Sequence, residues 1–564
     1  MPRKLLAAAI LLLALAPSAH LAWVAREMPH FGHLHDDSIY WVSAKSLAEG
    51  SGYRILSLPS EPFQTKYPPL WPLMLAAIWK IDPRFPENLK LGMALAWLML
   101  PAFIAVAWRW FQTAGFGLPA RVTLCAVIAL SPSVVFFSTS LLSDLAFSAL
   151  LLAAILALPR ADDSVRFALT AGLLGSAAYL VRTAALPLLV TGPLWLVLRK
   201  RYRAAAAFSL AMFPGIAAWS FWTRTHLQHA TDIVSLYYVD YMGYRRLCMG
   251  WRDLPLVIWK NLDGMFHGTT GLIFSGLTDS PLGMYLSRFL AIGAIVGTVR
   301  LARQRGVSPY HWFGAAYAAI LLVWHFPPNE RFMLPVFPLL LAGLATETAH
   351  LAWTIKKCWA RNAANRAVAT GVLAGLAAIA GLGVALNVHT LFYEFPGIIE
   401  QHRTVLASKL AAFQWISQTL PPGAFYADDD VVFFLYTGRH AASLPVLPHA
   451  LLPPGPPGHL AAVPRDARIH VPATPRLSPV HRYGFSPRAS RTRTYRSEAD
   501  PHTTISVPKA ISVNALRGIS EQGPRLLAFS LRPARIGIGV ERCEWAKAHF
   551  FVGRHFLKRA CGRK

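Results

Sequence analysis

Apolar runs about as long as a bilayer crossing recur along the chain from residue 5 to residue 390, broken by short polar stretches. A helix needs about 20 mainly apolar residues to cross the hydrocarbon core. The segments 5–24, 88–110, 120–138, 143–159, 166–181, 184–198, 204–222, 283–300, 310–326, 332–353 and 367–388 fit such spans, about eleven in all. The pattern predicts an all-α polytopic membrane domain over residues 1–390. Residues 68–80 are apolar but short and flanked by proline, which predicts an interfacial or re-entrant piece. Leu5 to Val24 follows Arg3 and Lys4 as a signal peptide would, but no small-residue cleavage site follows, so it reads as a retained first helix.

Past residue 390 the pattern changes. In 391–440, Phe413-Gln414-Trp415-Ile416 has helical spacing, Pro421-Pro422-Gly423 turns the chain, and Val431 to Tyr436 reads as a strand. Asp428-Asp429-Asp430 reads as a turn on a solvated edge, and the whole as a small α/β segment. Residues 441–564 form a basic tail that patterns poorly. Proline, arginine and serine dominate 441–510, the composition of a linker or disordered stretch. The abrupt loss of pattern after Ala442 is also what a shifted reading frame would produce.

Charge gives an orientation. With the N-terminus cytoplasmic, the inside loops collect Arg109 and Arg121, Arg160 and Arg166, Arg199 to Arg203, Arg300 to Arg305, and Lys356 to Arg366. Basic residues favour the cytoplasmic side. The outer segments are then 25–87 (the first outer loop), 139–142, around 182, 223–282 (the large outer loop), 327–331 and everything after 389. This is the topology of a bacterial inner-membrane protein with a periplasmic C-terminus. The formal charge of +27 raises nucleic acid as a partner, but residues 441–564 alone hold 20 Lys+Arg against 6 Asp+Glu, and loops that need basic residues for topology hold much of the rest. No nucleic-acid partner is expected. The five cysteines lack metal or disulfide spacing.

Against that topology, Asp36, Asp37, Lys66, Asp144, Arg182, Glu330 and Arg331 all fall at the outer face. Ionisable groups beside hydrocarbon are costly and tend to gather at a shared site. Each also has a bland role. Asp36, Asp37 and Asp144 suit helix starts, Lys66 and Arg182 can reach the headgroups, and Glu330 suits a first turn. His30, His33, His35, Asp36 and Asp37 carry metal-capable donors without a helical ligand pair, so a divalent metal is a minor option and no cofactor is expected. Tyr237, Tyr238, Tyr241, Tyr244, Arg245 and Arg246 make the large outer loop either an interfacial aromatic belt or a lid over a sugar.

Taken in order, His35-Asp36-Asp37-x-x-Tyr40-x-x-x-Ala44, Gly50-x-Gly52-Tyr53, Tyr67-Pro68-Pro69, Ser143-Asp144, Arg182, Arg331-Phe332-x-x-Pro335 and Thr437-Gly438-Arg439 resemble polyprenyl-phosphate-sugar-dependent membrane glycosyltransferases of the GT-C class. That group includes protein O-mannosyltransferases and the lipid A aminoarabinose transferase. The resemblance is nearest to the branch named for Rhizobium lipopolysaccharide-core galacturonosyltransferases and covers about residues 5–440. It implies Asp36 as catalytic base and Lys66, Arg182 and Arg331 at the donor phosphate. By their place at the outer face, Asp37 and Asp144 are further candidate catalytic carboxylates, and Tyr40, Tyr67 and Glu330 candidate substrate contacts. The partners implied are a polyprenyl-phosphate-linked sugar and a lipid, glycan or protein acceptor, with inversion at the sugar. Asp37-Ser38-Ile39 departs from the acidic-x-arginine spelling of the aminoarabinose branch, which leaves the sugar open.

The rival class is a transporter or lipid flippase. Such chains tend to carry paired half-length repeats and polar groups at mid-membrane. This sequence shows neither, because its charges sit at one face.

Overall fold

The computed structural model describes residues 2–228, 233–276, 281–359, 363–420, 425–427, 429–443 and 527–529. The helices, in order, are α1 Pro2–Val24, α2 Asp36–Glu49, α3 Leu70–Ile81, α4 Leu89–Thr113, α5 Leu118–Ala129, α6 Pro132–Ser138, α7 Asp144–Ala157, α8 Val165–Val181, α9 Pro187–Leu198 and α10 Tyr202–His226. They continue as α11 Ile233–Val239, α12 Tyr241–Cys248, α13 Leu254–Ile273, α14 Pro281–Arg305, α15 Pro309–Leu322, α16 Glu330–Met333, α17 Phe337–Trp359, α18 Ala363–His389, α19 Phe395–Thr419 and α20 Asp430–Thr437. Three short strands, β1 Phe425–Ala427, β2 Ala442–Ser443 and β3 Leu527–Phe529, pair in parallel in the order β2-β1-β3. The protein is an all-α multi-pass membrane protein with a small α/β appendage.

Every one of the eleven expected spans is helical, but not every one is a full crossing. Among the described residues seven helices are long and apolar enough to cross, or eight if the pair α5–α6 counts as one span. That pair bends by 63° where Ser131 caps α6 and Pro132 opens it, because proline cannot continue the helix before it. The helices at 166–181, 184–198 and 310–326 are shorter than a full crossing. Residues 68–80 become α3, whose Trp71 and Leu75 are fully buried. Trp71 donates its indole N–H to the Leu141 carbonyl at 2.9 Å, and Trp79 donates to the Trp41 carbonyl at 3.2 Å.

α2 is built as its sequence implies. Two aspartates occupy its first turn, and Gly50 closes it in the left-handed conformation at φ 80°. Gly50 and Ser51 N–H donate back to Leu47 and Ser46, the pattern of a glycine-terminated helix. α18 and α19 run on through one π-turn at Thr390–Glu394. The span expected at 367–388 is therefore the first half of a helix running from Asn365 to Thr419, and the 391–440 segment begins inside it.

Two readings of that segment are corrected. Residues 431–436 form α20 and not a strand: the helix runs Asp430–Thr437, closes on Gly438 in the left-handed conformation, and buries Val431 in one apolar cluster and Val432 and Phe433 in another. The acidic run is not a solvated turn either, because Asp430 is fully buried and Asp429 pairs with Lys409 of α19. Asp428 lies outside the described residues, as does the tail at 444–526 and 530–564 on which the expectation of a linker or disorder rests.

The main core runs through the bundle around Trp41, Trp71, Phe103, Phe111 and Phe147, all buried. α14 and α17 cross where Gly297 and Gly343 face each other so closely that a Cβ on either would strike the other helix's backbone. Small residues permit such backbone approach between membrane helices. Gly343→Leu should therefore separate α14 from α17 and cost about 2 kcal/mol or more, read as a lower melting temperature in detergent. An unchanged melting temperature would contradict this crossing.

Candidate functional site

The ends of α2, α7, α8 and α16 meet at one corner of the bundle. Asp144, the first residue of α7, is 1% exposed. It accepts from Arg182, which follows α8, and from Arg331 of α16, whose NH2 group lies 3.1 Å away. The same Arg331 donates to Asp36 Oδ2 at 2.9 Å. Asn329 turns α16 into place by accepting the Arg331 backbone N–H at 3.1 Å. Tyr67 donates its hydroxyl to Asp36 Oδ1. A chain of alternating charge thus runs Arg182, Asp144, Arg331, Asp36.

Lys66 stands beside this chain with no carboxylate among the described residues in ion-pair contact. Its Nζ lies 3.4 Å from the ring centre of Tyr237 and 4.9 Å from those of Tyr67 and Tyr241. Aromatic faces attract cations electrostatically. Burial lowers the Lys66 ammonium, the Asp36 charge raises it, Arg331 lowers it again, and the result is about 7. Burial alone would push the Asp36 carboxyl up, but Arg331, Lys66, the Tyr67 hydroxyl and Arg182 outweigh it and hold it at about 2. Asp36 is therefore ionised across the neutral range. Three cations face two carboxylates here.

The adjacent carboxylates of α2 diverge, as residues 100° apart on a helix must. Asp37 turns back to the preceding loop, where Oδ2 accepts the Gly32 N–H at 3.1 Å, and Oδ1 is buried with no hydrogen-bond partner among the described residues. Burial pushes this carboxyl up, the Gly32 and Ser38 N–H groups draw it down, and it settles at about 7. Tyr40 is buried with its hydroxyl 3.2 Å from Ser143 Oγ and its ring against Tyr67. Glu330 lies over Gly271 of α13, where a Cβ would collide with its carboxyl.

Among the histidines of the first outer loop only His35 stands apart, reaching Tyr238, while His30, whose Nε2 lies 2.6 Å from the Thr139 carbonyl, and His33 both face His402 of α19 at ring-centre distances of 6.2 and 4.9 Å. No group of three His, Cys, Asp or Glu among the described residues is arranged to hold a metal ion.

Sequence reasoning did not find Ser57, Tyr238 and Asp430, which bond to one another at the outer edge of this site. Tyr238 was one tyrosine among several, and Asp430 one aspartate of a run. Nothing local distinguishes either, because each is defined by partners far away in the chain.

No family model matches the chain, and no curated protein matches it. Solved structures that resemble it include ArnT from Cupriavidus metallidurans bound to undecaprenyl phosphate, at TM-score 0.45 and 16% identity over 76% of this chain and 85% of that one. Another is the archaeal oligosaccharyltransferase AglB from Archaeoglobus fulgidus in complex with an inhibitory peptide and a dolichol-phosphate. It matches at TM-score 0.43 and 11% identity over 78% of this chain and 65% of that one.

The buried Asp37 gives a pH prediction. Its carboxyl is raised in the folded chain from the ordinary 3.8 to about 7, so between these values the folded state holds a proton that the unfolded state has lost. Stability then falls as pH rises through this window and levels off above it. Other groups titrate with the opposite sign, His30 among them, so the comparison is a difference. The melting temperature of the wild type minus that of Asp37→Asn should fall between about pH 4 and 7, equivalent to roughly 2–4 kcal/mol at 1.36 per pH unit, and be flat above. A flat difference across the window would contradict the assignment.

Proposed function

We propose that this protein is a membrane glycosyltransferase that moves a sugar from a polyprenyl-phosphate donor to a lipid, glycan or protein acceptor at the outer face of a bacterial inner membrane. The observation that carries the reading is the pairing of an ionised carboxylate with an excess of cations at one corner of the bundle. In this reading Asp36, ionised at neutral pH, is the group that takes the proton. Arg331, Lys66 and Arg182 offer positive charge to an anion, and the ordered motifs of the sequence point the same way.

The step balances simply. The acceptor hydroxyl gives its proton to Asp36 as its oxygen attacks the anomeric carbon, and the bond from that carbon to the phosphate oxygen breaks. The electron pair leaves with the lipid phosphate, where fixed cations stabilise the developing charge. Attack from the face opposite the phosphate inverts the sugar. A carboxyl held at about 2 is a weak base. A bound donor changes that. Phosphate drawn to Arg331 and Lys66 screens those cations from Asp36 and raises its basicity when an acceptor is present. The same phosphate would restore the full charge of Lys66.

Asp144 has both oxygens committed to arginines. Its role in this scheme is to hold Arg182 and Arg331 together, not to transfer protons. In this scheme Asp37, which accepts the Gly32 N–H, takes no part in the transfer.

Asp36→Asn keeps the side-chain shape and one of the two acceptor positions held by Tyr67 and Arg331 but removes the base. Lipid-linked products from membranes carrying the wild type or this variant, read by mass spectrometry, should differ by about 10²–10⁴ in rate. A loss of less than tenfold, or a complete loss in Asp37→Asn with Asp36→Asn active, would overturn the assignment. Orientation has its own test. In a chain with its cysteines replaced by serine, an impermeant thiol reagent on intact cells should label Phe425→Cys and spare Arg201→Cys. The reverse pattern would invert the topology.

A further inference from the structure

His35, the residue before Asp36, has φ 63° and ψ −45°. The Asp36 N–H donates to the Leu34 carbonyl at 2.6 Å. His35 is therefore the centre of a γ-turn with positive φ, a rare and strained form. Strain of this kind persists only where the surroundings over-determine it, and here they can be traced. The Tyr238 hydroxyl lies 2.9 Å from His35 Nε2 and 2.7 Å from Asp430 Oδ1. Ser57 Oγ donates to Asp430 Oδ2 at 2.9 Å. Asp430 and Tyr238 are both buried, at 0% and 1% exposure.

Counting protons fixes the direction. The tyrosine hydroxyl has one proton, and it goes to the carboxylate. Its oxygen then accepts, so His35 Nε2 carries the N–H that it donates. Asp430 receives hydroxyl protons on both oxygens, which satisfies a buried carboxylate. The imidazole also lies edge-on to the Tyr238 ring, with centroids 5.5 Å apart. The oxygens of the Asp36 carboxylate accept from Tyr67 and Arg331.

We propose that Asp430, through Tyr238 and His35, forms a positioning relay that fixes the backbone at Asp36 and so aims its carboxylate at the arginine cluster. The relay enters from three separate stretches of chain: the first outer loop, α11 and α20. The C-terminal segment is thereby part of the site's machinery and more than an appendage. Val432 of α20 reinforces it by filling the space over Gly32, which itself holds Asp37. The kinetic part of the proposal rests on the glycosyltransferase reading. The structural part does not.

The full chain in lipid nanodiscs tests both. Tyr238→Phe keeps the ring and removes the bridge, Asp430→Leu removes the anchor, and Asp430→Asn keeps an acceptor for Tyr238. Amide exchange in a peptide covering residues 33–40 should speed up about tenfold in the first two and stay within about threefold of wild type in the third. Exchange in 144–157 should not move in any of them. In sugar transfer, the first two should lose about tenfold or more in kcat, since small misplacement of a reacting group is costly. Donor KM should stay within about twofold, and Asp430→Asn should recover most of the rate. The double variant Tyr238→Phe with Asp430→Leu should be no slower than the worse single, because linked groups are not additive. Unchanged exchange at 33–40 in Tyr238→Phe, or a rise that extends equally through 144–157, would overturn the relay. So would additive losses in the double variant. If the wild type transfers no sugar, the glycosyltransferase reading fails, and the exchange experiment alone decides the relay.

Discussion

Asp144 is the constraint on which this architecture depends. A carboxylate buried at a helix start is tolerable only if it is paired, and its partners are the arginines that close α8 and open α16. Removing one partner from such a cluster leaves an uncompensated buried charge, worth about 3–5 kcal/mol. The helix ends therefore have no freedom to drift apart. Arg331 then extends the chain of charge to Asp36, and α2 is pinned across the same corner. The proposed chemistry draws on these same groups and on Lys66.

Above this corner lies a second layer of order. Ile39, Val42, Ile55, Leu56 and Leu58 of the first outer loop and its helix pack with Leu236, Tyr238, Val239 and Tyr244 of α11 and α12 and with Val431 of α20. These segments are polar or irregular in sequence and would be costly to order separately. Packed together, they share one apolar cluster and close their hydrogen bonds on each other, as Thr65 does with the Val239 carbonyl and Ala441 with the Ser57 carbonyl. The tyrosines that cage Lys66 come from this layer. The rings of the large outer loop pack against one another and against Lys66. Among the described residues Lys66 has rings around it and no carboxylate in ion-pair contact.

The sequence by itself determined the membrane character, the positions of the eleven apolar helical segments between residues 5 and 388 and the identity of the charged groups. These follow from local rules: apolar length, the glycine that ends α2, and the cost of a charge beside hydrocarbon. The divergence of Asp36 from Asp37 was equally local, since helical geometry forces neighbours onto different faces. Lys66, Arg182 and Arg331 were legible as outer-face cations for the same reason.

What only the tertiary structure decided is how those groups are paired. That Asp144 holds two arginines, that Asp37 turns to a backbone N–H, and that Asp430 is buried against Tyr238 all depend on contacts between residues far apart in the chain. The same applies to α20, whose short apolar run fits a strand or a helix equally well until one face is buried. Three expected spans proved short for a related reason. Composition reports how apolar a helix is, but a helix packed inside a bundle and one crossing lipid meet equally apolar surroundings. Which of the two it becomes is set by its neighbours and not by its own residues.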